Sequence, residues 1–179
     1  MELKNKLNNL QKELENKLNN LQKELEKIKM DPKSFKSKGK GKGLVFGKVN
    51  RFGSSAKNYG YYGDSTNNTK YNIIYDILLD LSNYLNFSCT TFQINHNFKT
   101  LPHYDKNNIG DTLIVAFGNY DGGELFININ NEIEAIDIKY KQHIFDGSKN
   151  LHWTNDFVGN RYSLMFFNTK KIRNHTEKN

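Results

Sequence analysis

Cysteine, tryptophan and proline are nearly absent from this 179-residue chain, which has one Cys, one Trp and two Pro. The single thiol, Cys89, excludes an intrachain disulfide framework and fits a reducing compartment. It sits in an apolar run, where a buried structural thiol is expected. No window approaches the ~20 consecutive apolar residues of a membrane-spanning helix. The N-terminus is charged and repetitive rather than signal-like. An intracellular protein, cytoplasmic or nuclear and with no membrane partner, is therefore expected. Acidic residues are missing from one stretch in particular: between Pro32 and Arg51 there are seven basic residues and no acid.

The net charge of +7 is correspondingly uneven. Residues 1–43 carry 12 Lys and six acids, whereas the other 136 residues are almost balanced at +1. Electrostatic attraction to a polyanion would be concentrated in residues 33–51, where a solvated linker is the other reading. The stretch KSFKSKGKGKG within residues 31–43 reads as a basic, flexible linker.

Ahead of that linker, residues 2–12 (ELKNKLNNLQK) recur almost unchanged as residues 13–23 (ELENKLNNLQK), and a third copy begins at residue 24. Leu3, Leu7, Leu10, Leu14, Leu18, Leu21, Leu25 and Ile28 form one apolar stripe at helical spacing. Eleven residues in three turns is about 3.67 per turn, the period of a nearly straight or weakly right-handed bundle. Residues 1–30 are thus expected to form a coiled-coil-like helix that self-associates through residues 3–28 or docks on a partner. Asp31-Pro32 ends it, because proline disfavours helical geometry in the residue before it.

Beyond the linker, Leu44–Gly47 reads as a first strand. Residues 50–69 are rich in Gly, Ser, Asn and Tyr without a period, which suggests a lid or substrate loop in which Tyr59, Tyr61 and Tyr62 either line a cleft or pack against the domain. Residues 71–85 carry apolar positions at 71, 74, 75, 78, 81 and 85, the pattern of an amphipathic helix that buttresses a sheet. Strands are then expected at 88–95, 112–117, 123–129, 132–138, 142–145, 151–154 and 161–167, punctuated by Asp121-Gly122-Gly123, Asn130-Asn131 and Asp146-Gly147. So many short strands with turn signals indicate a mostly β domain, an antiparallel sandwich or jelly roll over residues 44–168. Residues 169–179 form a polar tail.

The chemistry concentrates at TFQINHNFKTLPHYD, Thr91 to Asp105. In an extended chain His103 and Asp105 point to one face about 6.6 Å apart and can converge on one ion. His152 is the best-placed third ligand. Two His and one carboxylate with open positions remaining are what non-haem Fe(II) oxygenases require. An isolated His-x-Asp commonly sits on a wet loop, and the case rests on the ordered set that follows. Nine residues past His152, Arg161 and Ser163 place a guanidinium beside a hydroxyl, a pair suited to a carboxylate. Gln93 and Asn95 alternate on the strand before His103 and are candidates to face a cosubstrate or substrate. His96 reads as a hydrogen-bonded structural histidine, and packing is the default for Tyr104 and Trp153. Gly122 and Gly123 read as a turn or bulge. His143 and His175 have no partner pattern.

With these elements in view, the chain resembles the 2-oxoglutarate/Fe(II)-dependent dioxygenases over roughly residues 44–168. The carrying residues are His103, Asp105, the Gly-Gly-Glu-Leu run at 122–125, His152, Arg161 and Ser163. The His-to-Arg spacing is similar to that of prolyl hydroxylases and the isopenicillin N synthase group. The stretch HYDKNNIGDTLIVAFGNYDGGELFI is similar to the nucleobase-oxidising TET/JBP branch. The resemblance implies a double-stranded β-helix, with Fe(II) on His103, Asp105 and His152. It also implies 2-oxoglutarate as cosubstrate, with Arg161 and Ser163 on its distal carboxylate, O2 as oxidant and ascorbate as support. The implied reaction is hydroxylation of an unactivated C–H coupled to decarboxylation of 2-oxoglutarate to succinate. A protein side chain such as proline is the expected substrate. A nucleobase, which would have to leave its stack, is the alternative, and an oligomeric jelly-roll scaffold without turnover is the third reading.

Overall fold

The computed structural model describes residues 2–30, 32–35, 39–51 and 61–170. Thirteen elements follow one another in these segments. Helix α1 (Glu2–Glu26) comes first, then strands β1 (Pro32–Phe35), β2 (Gly39–Arg51) and β3 (Tyr61–Asp64). A single helical turn, α2 (Asn67–Lys70), leads into α3 (Asn72–Tyr84). The rest is β: β4 (Thr91–Thr100), β5 (Asn108–Gly122), β6 (Leu125–Ile129), β7 (Glu132–Ile136), β8 (His143–Phe145), β9 (Leu151–Thr154) and β10 (Phe157–Thr169).

The strands form two antiparallel sheets. The larger has the order β1-β2-β4-β10-β5-β8, with β3 on β2, and the smaller has the order β7-β6-β9. A mutual pair of backbone hydrogen bonds at 3.1 Å between His103 and His152 ties the segment after β4 to β9, the edge of the smaller sheet. This is the mostly β jelly roll that the strand spacing indicates.

Alternation along the central strands separates two environments. Phe46, Phe92, Ile94, Leu113, Val115, Phe117, Leu164 and Phe166 pack outward in one buried cluster with Ile74, Leu78 and Leu81 of α3. That is the buttressing role expected of residues 71–85. Inward-facing positions of the same strands, Gln93, Asn95, Ile114, Ser163 and Met165, line a cavity between the sheets.

Helix α1 joins this core instead of standing apart as an appendage. Leu14, Leu18, Leu21 and Leu25 are at most 5% exposed and belong to the α3–sheet cluster. Burying four leucines contributes roughly 6–12 kcal/mol as an upper estimate, more than a helix of this length gains from propensity. Lys17 pairs with Asp80 at 2.7 Å, Tyr84 Oη donates to the Leu10 carbonyl at 2.9 Å, and Gln11 Nε2 donates to the Tyr140 carbonyl at 2.5 Å. The equivalent positions in the first repeat stay wet, with Leu7 58% and Leu10 45% exposed. Most of the stripe expected to self-associate is thus used within the chain.

Residues 31–43 are not simply a linker. β1 and β2 pair antiparallel, Pro32 opposite Lys42 and Phe35 opposite Gly39, and β2 continues the large sheet along β4. The glycines explain why. A Cβ on Gly41 would come within 2.5 Å of Phe98 Cα, and one on Gly39 within 2.1 Å of the Lys99 carbonyl oxygen. Glycine there permits close strand approach, so the Gly-Lys alternation signifies a strand pressed onto its neighbour. The expected lid over residues 50–69 likewise contains β3, α2 and the end of β2, with residues 52–60, including Tyr59, outside the described residues. Tyr61 and Tyr62 belong to β3 opposite Arg51 and Asn50, and Tyr62 is not among the residues lining the cavity. Of the expected tail, Thr169 ends β10 and residues 171–179, with His175, lie outside the described residues.

Candidate metal centre and anion site

β4 leads to the first two ligands. Its first half, Thr91–His96, runs against β10, with Asn95 opposite Ser163 and Gln93 opposite Met165. At Asn97 the chain takes a left-handed conformation (φ 47°) that Asn tolerates better than most residues. The inward set accordingly slips from Gln93 and Asn95 to Phe98 and Thr100, all of which line the cavity. Three residues beyond Thr100 the chain reaches His103.

His103, Asp105 and His152 converge, their ligand atoms lying within 4.8 Å of one another. His103 Nε2 stands 3.6 Å from Asp105 Oδ1, and His152 Nε2 stands 3.5 Å from Asp105 Oδ2. Two donors each about 2.1 Å from one ion stand about 3.0–3.5 Å apart at angles between about 90° and 115°, so the spacing suits a shared cation. The tautomers agree. His103 Nδ1 is 2.7 Å from the Leu101 carbonyl and His152 Nδ1 is 2.9 Å from the Asn150 carbonyl. A carbonyl can only accept, so Nδ1 carries the hydrogen in both neutral rings and each Nε2 keeps its lone pair for a metal. The Asp105 N–H donates to the Gly147 carbonyl at 2.8 Å. Gly147 lies close to both ligands: a Cβ there would be 3.4 Å from His152 Cε1 and 3.5 Å from Asp105 Oδ2. The turn after Asp146 is firm, because the Asp146 carboxylate accepts from Lys149 Nζ at 2.8 Å and from Ser148 Oγ at 2.6 Å. Those two bonds hold its pKa down to about 2.

The cavity in front of this triad measures about 430 Å³. Gln93, Asn95 and Ser163 are on its wall, together with Asn107, Asn108 and Thr112. Ile114, Leu125, Phe145, Met165 and Phe167 make its apolar faces. Gln93 Nε2 donates to Asn95 Oδ1 at 3.0 Å, and the Thr100 and Thr154 hydroxyls share a hydrogen bond at 2.8 Å. The threonine pair, Asn107 and Asn108 line the cavity and were missed by sequence reasoning, since nothing local sets them apart from ordinary strand and loop residues. Tyr104, expected to pack, is 43% exposed and lines the mouth.

Arg161 is placed differently from the other candidates. It is 3% exposed and is not among the cavity-lining residues, lying two positions before Ser163 on the same face of β10. Its guanidinium carbon lies 5.4 Å from the ring centroids of both Tyr120 and Phe157, and its Nη2 donates to the Gly123 carbonyl at 3.0 Å. Its backbone N–H donates to Asn97 Oδ1 at 2.8 Å. Nε is buried and has no acceptor among the described residues. Burial pulls the guanidinium pKa below its ordinary value, opposed by Tyr120, whose own pKa burial pushes up to about 12. A buried cation on the same strand face as the cavity-lining Ser163 hydroxyl is donor chemistry that fits a carboxylate-bearing ligand.

Among the described residues, His96 and His143 lie outside the triad. His96 donates from Nε2 to Asn160 Oδ1 at 2.5 Å and stacks on Tyr162 at 4.3 Å, as expected of a hydrogen-bonded structural residue. His143 stacks on Phe145 on the edge strand β8. Trp153 packs edge-on against Phe126 at 5.4 Å.

No protein-family model and no curated protein matches the sequence. Solved structures do match the fold. A 2OG-Fe(II) oxygenase family oxidoreductase from Burkholderia pseudomallei aligns with TM-score 0.57 at 16% identity, over 87% of this chain and 82% of that one. A Pseudomonas putida prolyl-4-hydroxylase aligns with TM-score 0.52 at 9% identity, over 88% of this chain and 86% of that one. NgTET1 in complex with 5mC DNA aligns with TM-score 0.52 at 15% identity, over 90% of this chain and 68% of that one. At these identities the likeness is one of architecture: the chain has the jelly-roll fold of the 2OG-Fe(II) oxygenases, the superfamily its His-x-Asp, His and Arg-x-Ser motifs resemble.

Proposed function

We propose that this chain is an Fe(II)- and 2-oxoglutarate-dependent dioxygenase that hydroxylates an unactivated C–H bond in a polymeric substrate. The observation that carries the reading is the convergence of His103 Nε2, His152 Nε2 and the Asp105 carboxylate, with both Nδ1 atoms committed to backbone carbonyls. Iron(II) held there would supply, with 2-oxoglutarate and O2, the oxidising chemistry for converting a C–H bond to C–OH, with succinate and CO2 as the coproducts. Everything else is the protein's work. His103, Asp105 and His152 would hold the ion as two imidazoles and one carboxylate, a ligand set suited to iron that still has to bind a cosubstrate. Arg161 and Ser163 hold the cosubstrate's distal carboxylate, a task suited to a planar guanidinium. Gln93 and Asn95 orient ligands from the β4 wall, and Ile114, Leu125, Phe145, Met165 and Phe167 limit water in the cavity.

A protein side chain such as proline is the first substrate reading. It is supported by the near-neutral domain and by the exposed Leu101 and Tyr104 on the ligand loop, an apolar rim that suits a peptide better than a phosphate backbone. The likeness of fold to a prolyl-4-hydroxylase is compatible with it. A nucleobase is the second reading, supported by β2. That strand carries exposed Lys40 and Lys42 beside β4, with Lys40 opposite Lys99, and β4 runs on to the ligand loop. The likeness to NgTET1 with its DNA is compatible with this one.

The test is succinate release from 2-oxoglutarate by the Fe(II)-loaded chain with ascorbate, beside His103→Ala and Arg161→Ala. Turnover lost in both variants is expected. Incubation with peptide and oligonucleotide pools then separates the substrates by which one gains the mass of one oxygen. Failure of the parent to bind either Mn(II) or 2-oxoglutarate would refute the enzyme reading and leave the scaffold.

A further inference from the structure

Two glycines stand side by side at the β5–β6 turn, both with left-handed φ, Gly122 at 75° and Gly123 at 73°. They face different things. A Cβ on Gly122 would strike the Asp156 carbonyl oxygen at 2.4 Å, which is a backbone requirement of the turn. A Cβ on Gly123 would instead stand 2.8 Å from Arg161 Nε, 3.0 Å from its Cδ and 3.1 Å from Phe157 Cβ. The bare α-carbon of residue 123 and the middle of the Arg161 side chain therefore share one space.

Arg161 has little room to yield. It is 3% exposed, the Tyr120 and Phe157 rings flank it, and its own backbone is tied to Asn97. The Gly123 carbonyl takes one Nη2 hydrogen, which sets the rotation of the guanidinium plane. Residue 123 thus constrains Arg161 twice, once by what it accepts and once by what it lacks.

We propose that Gly123 is a positioning residue for Arg161, holding its guanidinium between the Tyr120 and Phe157 rings in the placement that serves the distal carboxylate of the cosubstrate. The proposal rests on the dioxygenase reading above. It implies that a side chain at 123 weakens cosubstrate binding while leaving the His103–Asp105–His152 site intact, because the turn and the ligand loop are separate segments. Ser163, which lines the cavity, then contributes the hydroxyl to a subsite whose charge comes from behind the wall.

The experiment uses the full chain loaded with Mn(II) and measures the calorimetric Kd for 2-oxoglutarate in the parent, Gly123→Ala, Arg161→Lys and the double variant. Expected is unchanged Mn(II) affinity in all four, a loss of 2-oxoglutarate affinity of at least tenfold in Gly123→Ala, and a double variant no weaker than the poorer single one, since both act on one contact. With Fe(II), Gly123→Ala should raise the 2-oxoglutarate KM by a similar factor while kcat at saturation stays within about twofold, a split that general destabilisation would not produce. If Gly123→Ala alone loses Mn(II) through misfolding, the double variant should regain it, because lysine lacks the crowded Nε; failure to regain it would put the fault in the turn and overturn the proposal. Parent-like 2-oxoglutarate affinity in Gly123→Ala, or losses that add in the double variant, would overturn it as well. A parent that binds Mn(II) but no 2-oxoglutarate would refute the dioxygenase reading itself, and the positioning role with it.

Discussion

Leu7 and Leu18 lie in identical pentapeptides, Asn-Lys-Leu-Asn-Asn, eleven residues apart on the same helical stripe. In the fold one is 58% exposed and the other fully buried against α3 and the sheet. Truncating a fully buried leucine to alanine costs about 2–5 kcal/mol, from lost transfer energy plus the cavity left behind. The same change on an exposed helix face stays within about 0.5 kcal/mol. For a chain of this size 1 kcal/mol moves Tm by roughly 2–4 °C. Taking about 3 kcal/mol, Leu18→Ala should lower Tm by about 6–12 °C and Leu7→Ala by no more than about 2 °C. The assay is thermal and urea unfolding of the two variants and the parent at two protein concentrations tenfold apart. Equal losses for the two leucines, or a Leu7→Ala loss that grows on dilution, would mean that the stripe is buried between chains, and the docking of α1 described above would be wrong.

The turn before β9 should show itself in acid. Asp146 is depressed to about 2 by Lys149 and Ser148, below the usual unfolded value near 3.9. A carboxylate lowered on folding contributes stability that is complete above about pH 4 and is lost as pH falls through about 2. Asp146→Asn should therefore flatten urea-derived stability against pH between about 4 and 2, and an unchanged acid limb would refute the assignment. At Cys89, burial pushes the thiol pKa up, and Ser82 Oγ lies 3.9 Å from its sulfur. Thiol-disulfide reagents at pH 8 should label it at least about tenfold more slowly than a free cysteine, with full speed restored in denaturant. Labelling of the folded chain at the free rate would contradict the burial.

The elements legible from sequence are those whose pattern fits within one window. The six apolar positions between Tyr71 and Leu85 repeat at helical spacing, so α3 was recoverable with its buried face. Strand alternation around Thr91–Asn95, Leu151–Thr154 and Arg161–Phe167 was equally readable, because each side chain's face depends only on its own count along the strand. His103 and Asp105 at i, i+2 predict a shared face for the same reason. Only the order of motifs along the chain linked them to His152, and the bridge between His103 and His152 is what makes that link physical.

The same local pattern misled where distance decides. Gly39 and Gly41 between lysines look like flexible linker, and the need for glycine becomes visible only when Phe98 and Lys99 lie against them. Asn97 breaks the inward alternation of β4 by one residue, bringing Phe98 and Thr100 to the cavity, and it bonds to a strand more than sixty residues away. The eleven-residue repeat shows that the helix has an apolar stripe, yet two identical copies cannot say which is covered.

Residue type and short-range periodicity thus carried the amphipathic helices, most strands from Thr91 onward, the jelly-roll class and the His103–Asp105–His152 grouping as a candidate metal site. Contacts between distant segments settle which repeat of α1 is buried, make the lysine-glycine segment a strand, and set Arg161 between Tyr120 and Phe157 against Gly123. The physical reason is that burial and close approach are properties of two segments at once, and nothing in either segment alone states its distance from the other.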